Sequence, residues 1–198
     1  GRLADARQLR AQRVAVGAEG IIYADGAAGS QWSLTTDSLP GFSAIWGSSS
    51  DNLWAVGSTA TGKAQLAHRD GSGWSNPVSG FTNNLLAVHG TASNDIWAVG
   101  YSNNVLHYDG TRWSYASLDP SIVGVNFTGV WAVNRNLAFA TAEGTSVYRW
   151  DGVKWTALAF VFPSRMLGVW AADANNVVVV GGGGSAYMSS DGGANWQK

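Results

Sequence analysis

The chain has no cysteine, only four prolines and only two methionines in 198 residues. Without cysteine there is no disulfide and no thiolate zinc site. Charge is also scarce. Charged residues make up 13%, with 12 Lys and Arg against 13 Asp and Glu and a net charge of -1. No basic face stands out, which excludes a phosphate-driven nucleic-acid partner. No apolar run approaches the roughly 18 residues of a membrane helix, so no membrane span is expected. Catalytic motifs are missing as well: there is no nucleophile motif, phosphate loop or paired carboxylate. No cofactor, metal or enzymatic activity is expected. The surface must draw its polarity from Gly, Ser, Thr and Asn. That lysine-poor make-up resembles secreted bacterial proteins and sets a secreted or cell-surface location as the expectation. A start at Gly1 and not Met reads as a processed, trimmed or excised form.

What the chain does have is a recurring phrase. Trp32, Trp74, Trp113, Trp155 and Trp196 are spaced by 42, 39, 42 and 41 residues. Asp-Gly sits just upstream each time, at Asp25-Gly26, Asp70-Gly71, Asp109-Gly110, Asp151-Gly152 and Asp191-Gly192. A period near 40 marks stacked repeats. Approximate repeats run 1–36, 37–79, 80–118, 119–160 and 161–198. The third is the clearest. Its apolar runs at 85–90, 96–100 and 105–108, with a fourth segment after Asp109-Gly110, are each bounded by Gly, Asn, Asp or Ser. That is four short strands with turns between them. The first repeat is degenerate, and residues 3–10 have an apolar spacing closer to a helix. The repeat nevertheless needs a strand there, and a frayed one is expected. Asp-Gly suits tight hairpin turns, which favours antiparallel pairing over a solenoid. The expected fold is all-β: a single β-propeller domain of five four-stranded blades, or a five-blade piece of a larger propeller. Closure into a five-blade ring is favoured. An unclosed blade edge would invite association.

The phrase ending in Trp resembles the Asp-box, or BNR repeat, of form Ser-x-Asp-x-Gly-x-x-Trp. Residues 189–196 match it fully, while the other copies put Tyr23, His68, His107 or Arg149 in the leading Ser place. The resemblance covers the whole chain. It implies a propeller with these turns between the third and fourth strands. It does not imply sialidase activity, which needs three arginines around a carboxylate. Only Arg165 falls on the variable loops, while Arg69, Arg112 and Arg149 lie at or beside the Asp-Gly turns. The Asp residues read as turn hydrogen-bond acceptors and not as a ring of metal sites.

Trp46, His89, Trp131 and Trp170 share one aligned position at the end of the first strand. These rings are expected to pack between blades, with His89 a hydrogen-bonded core residue. The first turns of the repeats, at 48–52, 91–95, 133–136 and 172–176, are alike and read as structural. The loops between second and third strands, and the connections between repeats, differ. A propeller puts these variable loops on one face, where a site is expected. Tyr101, Asn103, Asn104 and Glu143 are the candidate ligand contacts. The tyrosine offers a stacking ring and the asparagines uncharged donors and acceptors. The expected function is a non-catalytic binding module of a bacterial surface or secreted protein, recognising a glycan or a protein on that face. The alternative is an assembly or structural scaffold module of a larger complex. A glycoside hydrolase-like enzyme ranks below both.

Overall fold

A computed structural model describes residues 3–9, 12–17, 20–24, 33–34, 41–78 and 80–198. Asp25, Gly26 and Trp32 lie outside the described residues. The strands fall into five sheets, each made of strands consecutive in sequence and paired antiparallel. The first sheet holds β1 (Leu3–Leu9), β2 (Gln12–Gly17), β3 (Gly20–Ala24) and β4 (Ser33–Leu34). The second holds β5 (Phe42–Ser49), β6 (Asn52–Ser58), β7 (Ala64–Asp70) and β8 (Gly73–Val78). The third holds β9 (Leu85–Ala92), β10 (Asp95–Gly100), β11 (Val105–Tyr108) and β12 (Trp113–Tyr115). The fourth holds β13 (Phe127–Asn134), β14 (Leu137–Ala142), β15 (Val147–Trp150) and β16 (Trp155–Ala157). The fifth holds β17 (Met166–Ala171), β18 (Val177–Gly181) and β19 (Ala186–Ser189).

The fifth sheet thus has three strands where four were expected. The place of its fourth strand is marked by an isolated bridge between Met188 and Gln197. The helix-like spacing near the start yields to strand pairing, with Ala6 opposite Ala15 and Arg7 opposite Val14. Pairing with a neighbour outweighs a weak local period. Among the described residues the only helical element is a 3-10 turn, Gly182–Gly184. The chain divides into two compact units, residues 1–88 and 89–198.

Each sheet has two faces, because successive strand residues point opposite ways. In the second unit the residues in register with Trp131 form a forward face of the fourth sheet: Phe139, Thr141, Arg149 and Val147. Phe139 and Leu137 pack on Ala171 and Val177 of the fifth sheet, and Val147 packs with Phe162, Met166, Val179 and Tyr187. In the first unit, Val14 and Val16 of β2 pack with Phe42, Ile45, Leu53, Ala55 and Ala67 of the second sheet. Each unit thus buries a separate apolar layer, and each fully buried large side chain contributes about 1.5 to 3 kcal/mol.

The aligned aromatic slot works as a series of inter-sheet ties. The His89 ring stacks on Trp131 at 3.9 Å, and its Nδ1 accepts the Ala132 N–H at 3.0 Å. Trp131 donates from Nε1 to the Ala171 carbonyl at 2.8 Å and lies 6.2 Å from Trp170. In both ties the ring reaches the residue just after the next slot. His89 is therefore a hydrogen-bonded core residue.

The described Asp-Gly turns use their carboxylates as backbone acceptors. Asp109 Oδ1 accepts the N–H of Thr111 and Arg112 at 2.8 and 2.9 Å, and Asp151 Oδ1 accepts those of Val153 and Lys154 at 2.9 Å each. Gly110 and Gly152 take φ of 98° and 94°. In the second repeat the left-handed residue is Gly73 and not Gly71. The last turn is built differently. Ser189 Oγ accepts the Gly193 N–H at 2.8 Å and donates to Asp191 at 2.8 Å, while Asp191 accepts from Asn195 N–H and Nδ2. These bonds favour the charged carboxylate and pull the Asp191 pKa down to about 2. The longer turn shifts the alignment by one residue. Val178 pairs with Met188 where Trp97 pairs with His107, so Met188 and not Ser189 is the register equivalent of His107.

Candidate functional site

In the second, fourth and fifth sheets a backbone bond ties the end of the second strand or the loop after it to the connection that precedes the sheet. Ser58 N–H donates to Gly41 O at 2.8 Å, Glu143 N–H to Asn126 O at 2.9 Å, and Gly182 N–H to Arg165 O at 3.0 Å. The chains pass so closely that a Cβ on Gly57 would sit 1.9 Å from Gly41 O, and one on Gly181 2.3 Å from Arg165 O. Glycine at the end of β6 and β18 is what permits this approach.

The loop 101–104 is a two-residue hairpin turn. Ser102 and Asn103 both have positive φ, 54° and 62°, and the Asn104 N–H donates to Tyr101 O at 3.1 Å. This is the primed geometry that matches strand twist, built here without glycine. Asn103 occupies a left-handed position that Asn tolerates better than most residues. Its side chain is committed to the fold. Nδ2 donates to Ile122 O at 2.7 Å, and Oδ1 accepts the Val125 N–H at 2.7 Å. Asn104 is only 1% exposed. Asn126 extends the connection: Oδ1 accepts the Ser102 N–H at 3.0 Å and Nδ2 donates to Glu143 Oε2 at 2.8 Å. Glu143 is exposed and Tyr101 half-buried. The structure thus brings the loops carrying Tyr101, Asn103 and Glu143 into one hydrogen-bonded platform spanning the third and fourth sheets. The sequence gives no sign of Asn126, the side chain that joins them.

A second constellation also went unread in the sequence, on the side of the first turns. Asp95 is buried, and its carboxylate meets His107 Nε2 at 2.8 Å and accepts from Thr91 Oγ1. Trp97 lies on the His107 ring at 4.3 Å. The second sheet repeats the set with an amide. Asn52 Oδ1 meets His68 Nε2 at 2.8 Å, Asn52 Nδ2 donates to Ser48 Oγ at 2.8 Å, and Trp54 stacks on His68 at 4.3 Å. Burial disfavours the charged Asp95 carboxylate, but hydrogen bonds from His107 and Thr91 outweigh it and hold its pKa below the usual range. These sets lock turn, second strand and third strand together. Among the described residues no group of three His, Asp or Glu side chains is placed to hold a metal ion. Nor is any helix there long and apolar enough to cross a membrane.

His68 supplies a pH test. Burial lowers its pKa from 6.5, and Asp70 only partly restores it. A histidine held neutral in the fold gives stability that is full above the unfolded pKa and is lost as pH falls through the folded value. Unfolding free energy is therefore expected to fall as pH drops from about 7 to about 5, and His68→Gln should flatten that slope. Denaturant titrations across this range check it; an unchanged slope would show that His68 is not involved.

No protein-family model and no curated protein sequence matches the chain. Solved structures do match. The WD40 β-propeller domain of Doa1 superposes with a TM-score of 0.78 at 8% identity, over 99% of this chain and 67% of that one. YCF48, solved bound to a D1 peptide, gives 0.74 at 17% identity, over 99% of this chain and 66% of that one. The computationally designed Ika8 protein gives 0.62 at 12% identity, over 98% and 72%. The fold is that of a β-propeller. The chain spans about two thirds of the length of the Doa1 domain and of YCF48.

Proposed function

We propose that this chain is a non-catalytic binding module that takes a polypeptide segment on the platform formed by the loops 101–104 and 142–145. The observation that carries this reading is how the polar groups of the platform are used. Asn103 spends both side-chain polar atoms on Ile122 and Val125, and Asn126 spends both on Ser102 and Glu143. Asn104 is buried. A sugar would need such paired amides, and they are already committed. What the platform leaves to solvent is the half-buried Tyr101 and the exposed Glu143, whose loops are joined through Asn126. A ring and a carboxylate on a rigid loop frame suit a peptide carrying an apolar and a basic residue. YCF48, a propeller of similar fold, was solved with a peptide bound, which is in keeping with this use of the scaffold.

The longer turn at 189–196, with Ser189 and Asp191 hydrogen-bonded as described and Trp196 Nε1 donating to Gly193 O at 3.0 Å, supports placing the chain among Asp-box repeat proteins. We read 1–198 as one propeller domain built of five repeats. Its sparsely charged, lysine-poor make-up suits a secreted or cell-surface setting, which fractionation of the source cells tests.

The binding test is a displayed peptide library panned on the chain. Selected peptides are expected to share an aromatic or aliphatic residue near a Lys or Arg. The double variant Tyr101→Ala with Glu143→Gln is expected to lose their binding by tenfold or more, with the melting temperature unchanged. Selection of no peptide, with a glycan array giving a specific signal, would reverse the choice of ligand. Peptides that bind the double variant as well as the parent chain would place the site elsewhere.

A further inference from the structure

The hydrogen bonds that join the loops of Tyr101 and Glu143 continue into the fifth sheet. Phe162 N–H donates to Thr145 O at 2.9 Å, Gly182 N–H to Arg165 O at 3.0 Å, and Ser164 Oγ to Ser185 Oγ at 3.2 Å. The connections 122–126 and 160–165 thus alternate with the loops 101–104, 142–145 and 182–185 in one bonded row, all of it within the unit 89–198. Each connection is pinned by a buried apolar side chain. Ile122 is buried, and Phe162 is buried edge-on against Phe160, Tyr187 and Trp196. The residue beside each anchor is left in solvent, Val123 at 78% exposure and Val161 at 68%. Apolar groups held on a pinned loop can be contacted without the cost of ordering that loop. Two charges of opposite sign stand on the same row. Glu143 is exposed, and its side-chain hydrogen bond among the described residues is to the Asn126 amide. Arg165 is exposed, with no ion pair or side-chain hydrogen bond among the described residues. No other residue of the five stretches is charged.

We propose that the bound polypeptide runs along this row from Tyr101 to Arg165, and that Arg165 fixes its direction by pairing with an acidic side chain. This rests on the peptide-binding reading of the platform and extends it from two sheets to three. The segment that fits carries a basic residue for Glu143, an acidic residue on the side toward Arg165, and apolar residues for Val123 and Val161. Charge complementarity selects that order. A segment laid down the other way sets its basic residue against Arg165 and its acidic residue against Glu143, so both charge contacts become repulsive. Arg165 is therefore a specificity residue: it rejects the reversed segment as well as holding the correct one. Both charges are exposed, so each attractive pair is weak by itself, and discrimination comes from the two together.

A displayed library of random peptides panned on the intact chain tests this. Selected sequences are expected to carry Asp or Glu on one constant side of their Lys or Arg. With synthetic copies of them, followed by fluorescence anisotropy, Arg165→Ala should weaken binding about threefold and Arg165→Glu about tenfold or more. Changing the peptide's acidic residue to Lys should restore its binding to the Arg165→Glu chain. The melting temperature should not move in either variant, since the Arg165 side chain has no bond among the described residues to lose. Peptides that need Tyr101 and Glu143 but bind Arg165→Glu as tightly as the parent chain overturn the role of Arg165 and leave the peptide reading of the platform standing. Weakening by Arg165→Glu with no rescue by the Lys peptide also overturns it, since Arg165 would then act at a distance and not by pairing. Selection of no peptide, or of peptides indifferent to the double variant Tyr101→Ala with Glu143→Gln, overturns both.

Discussion

Replacing Trp97 with Ala is expected to lower the unfolding free energy by about 3 to 5 kcal/mol, the largest effect of any single change considered. Trp97 is fully buried, and its ring is shared by three others: His107 at 4.3 Å, Trp150 at 4.9 Å and Trp155 at 5.2 Å. Removing it leaves a void between the third and fourth sheets that rigid strand backbones cannot collapse to fill, so the cavity cost adds to the lost transfer free energy. Denaturant unfolding followed by circular dichroism measures it. A loss under about 1 kcal/mol would mean that the sheets close over the gap and that the ring contacts carry little.

Asp95→Ala is expected to cost about 3 kcal/mol, and Asp95→Asn under about 1 kcal/mol. The alanine removes the acceptor of His107 Nε2 and Thr91 Oγ1 at a position only 2% exposed and leaves a gap where the carboxylate stood. His107 is still reached by water, with 21% of its side chain exposed, which keeps the figure at the lower end for a buried pair. The mildness of the asparagine follows from the chain itself, since Asn52 does the same work opposite His68 and Ser48 in the second sheet. If the asparagine proves as damaging as the alanine, the carboxylate charge and not the hydrogen-bond geometry is what the third sheet depends on.

The strands and their turns were legible in the sequence because their causes are local. An apolar run, an Asp-Gly pair and a closing Trp all fall within a few residues of one another, and repetition raises the signal. The structural role of the Asp-Gly carboxylates was legible for the same reason, since Asp109 and Asp151 bond residues two and three positions on. The role of His89 could be judged from its place among tryptophans. What could not be read depends on register or on distant partners. Asn103 looks like a free loop amide until its bonds to Ile122 and Val125, about twenty residues away, are seen. Asp95 and His107 meet only because β10 and β11 pair in one register. The lengthened last turn slides Met188 into the place that motif matching had given to Ser189. At the candidate site the sequence pointed to loops that the structure joins by hydrogen bonds. It could not show which of their side chains were already in use.

Among the described residues every sheet is wound from neighbouring stretches of chain, with no strand borrowed from a distant segment. The loops closed in forming a sheet are therefore short, and the entropy lost in closing them is small. Contacts this local favour rapid folding for an all-β protein. They also allow a sheet's hairpins to form as soon as its own residues have left the ribosome, before the next repeat is made. A repeat that carries its own hairpins can be duplicated or deleted as a unit, so the number of sheets in such a chain is open to change in a way that a barrel's strand number is not.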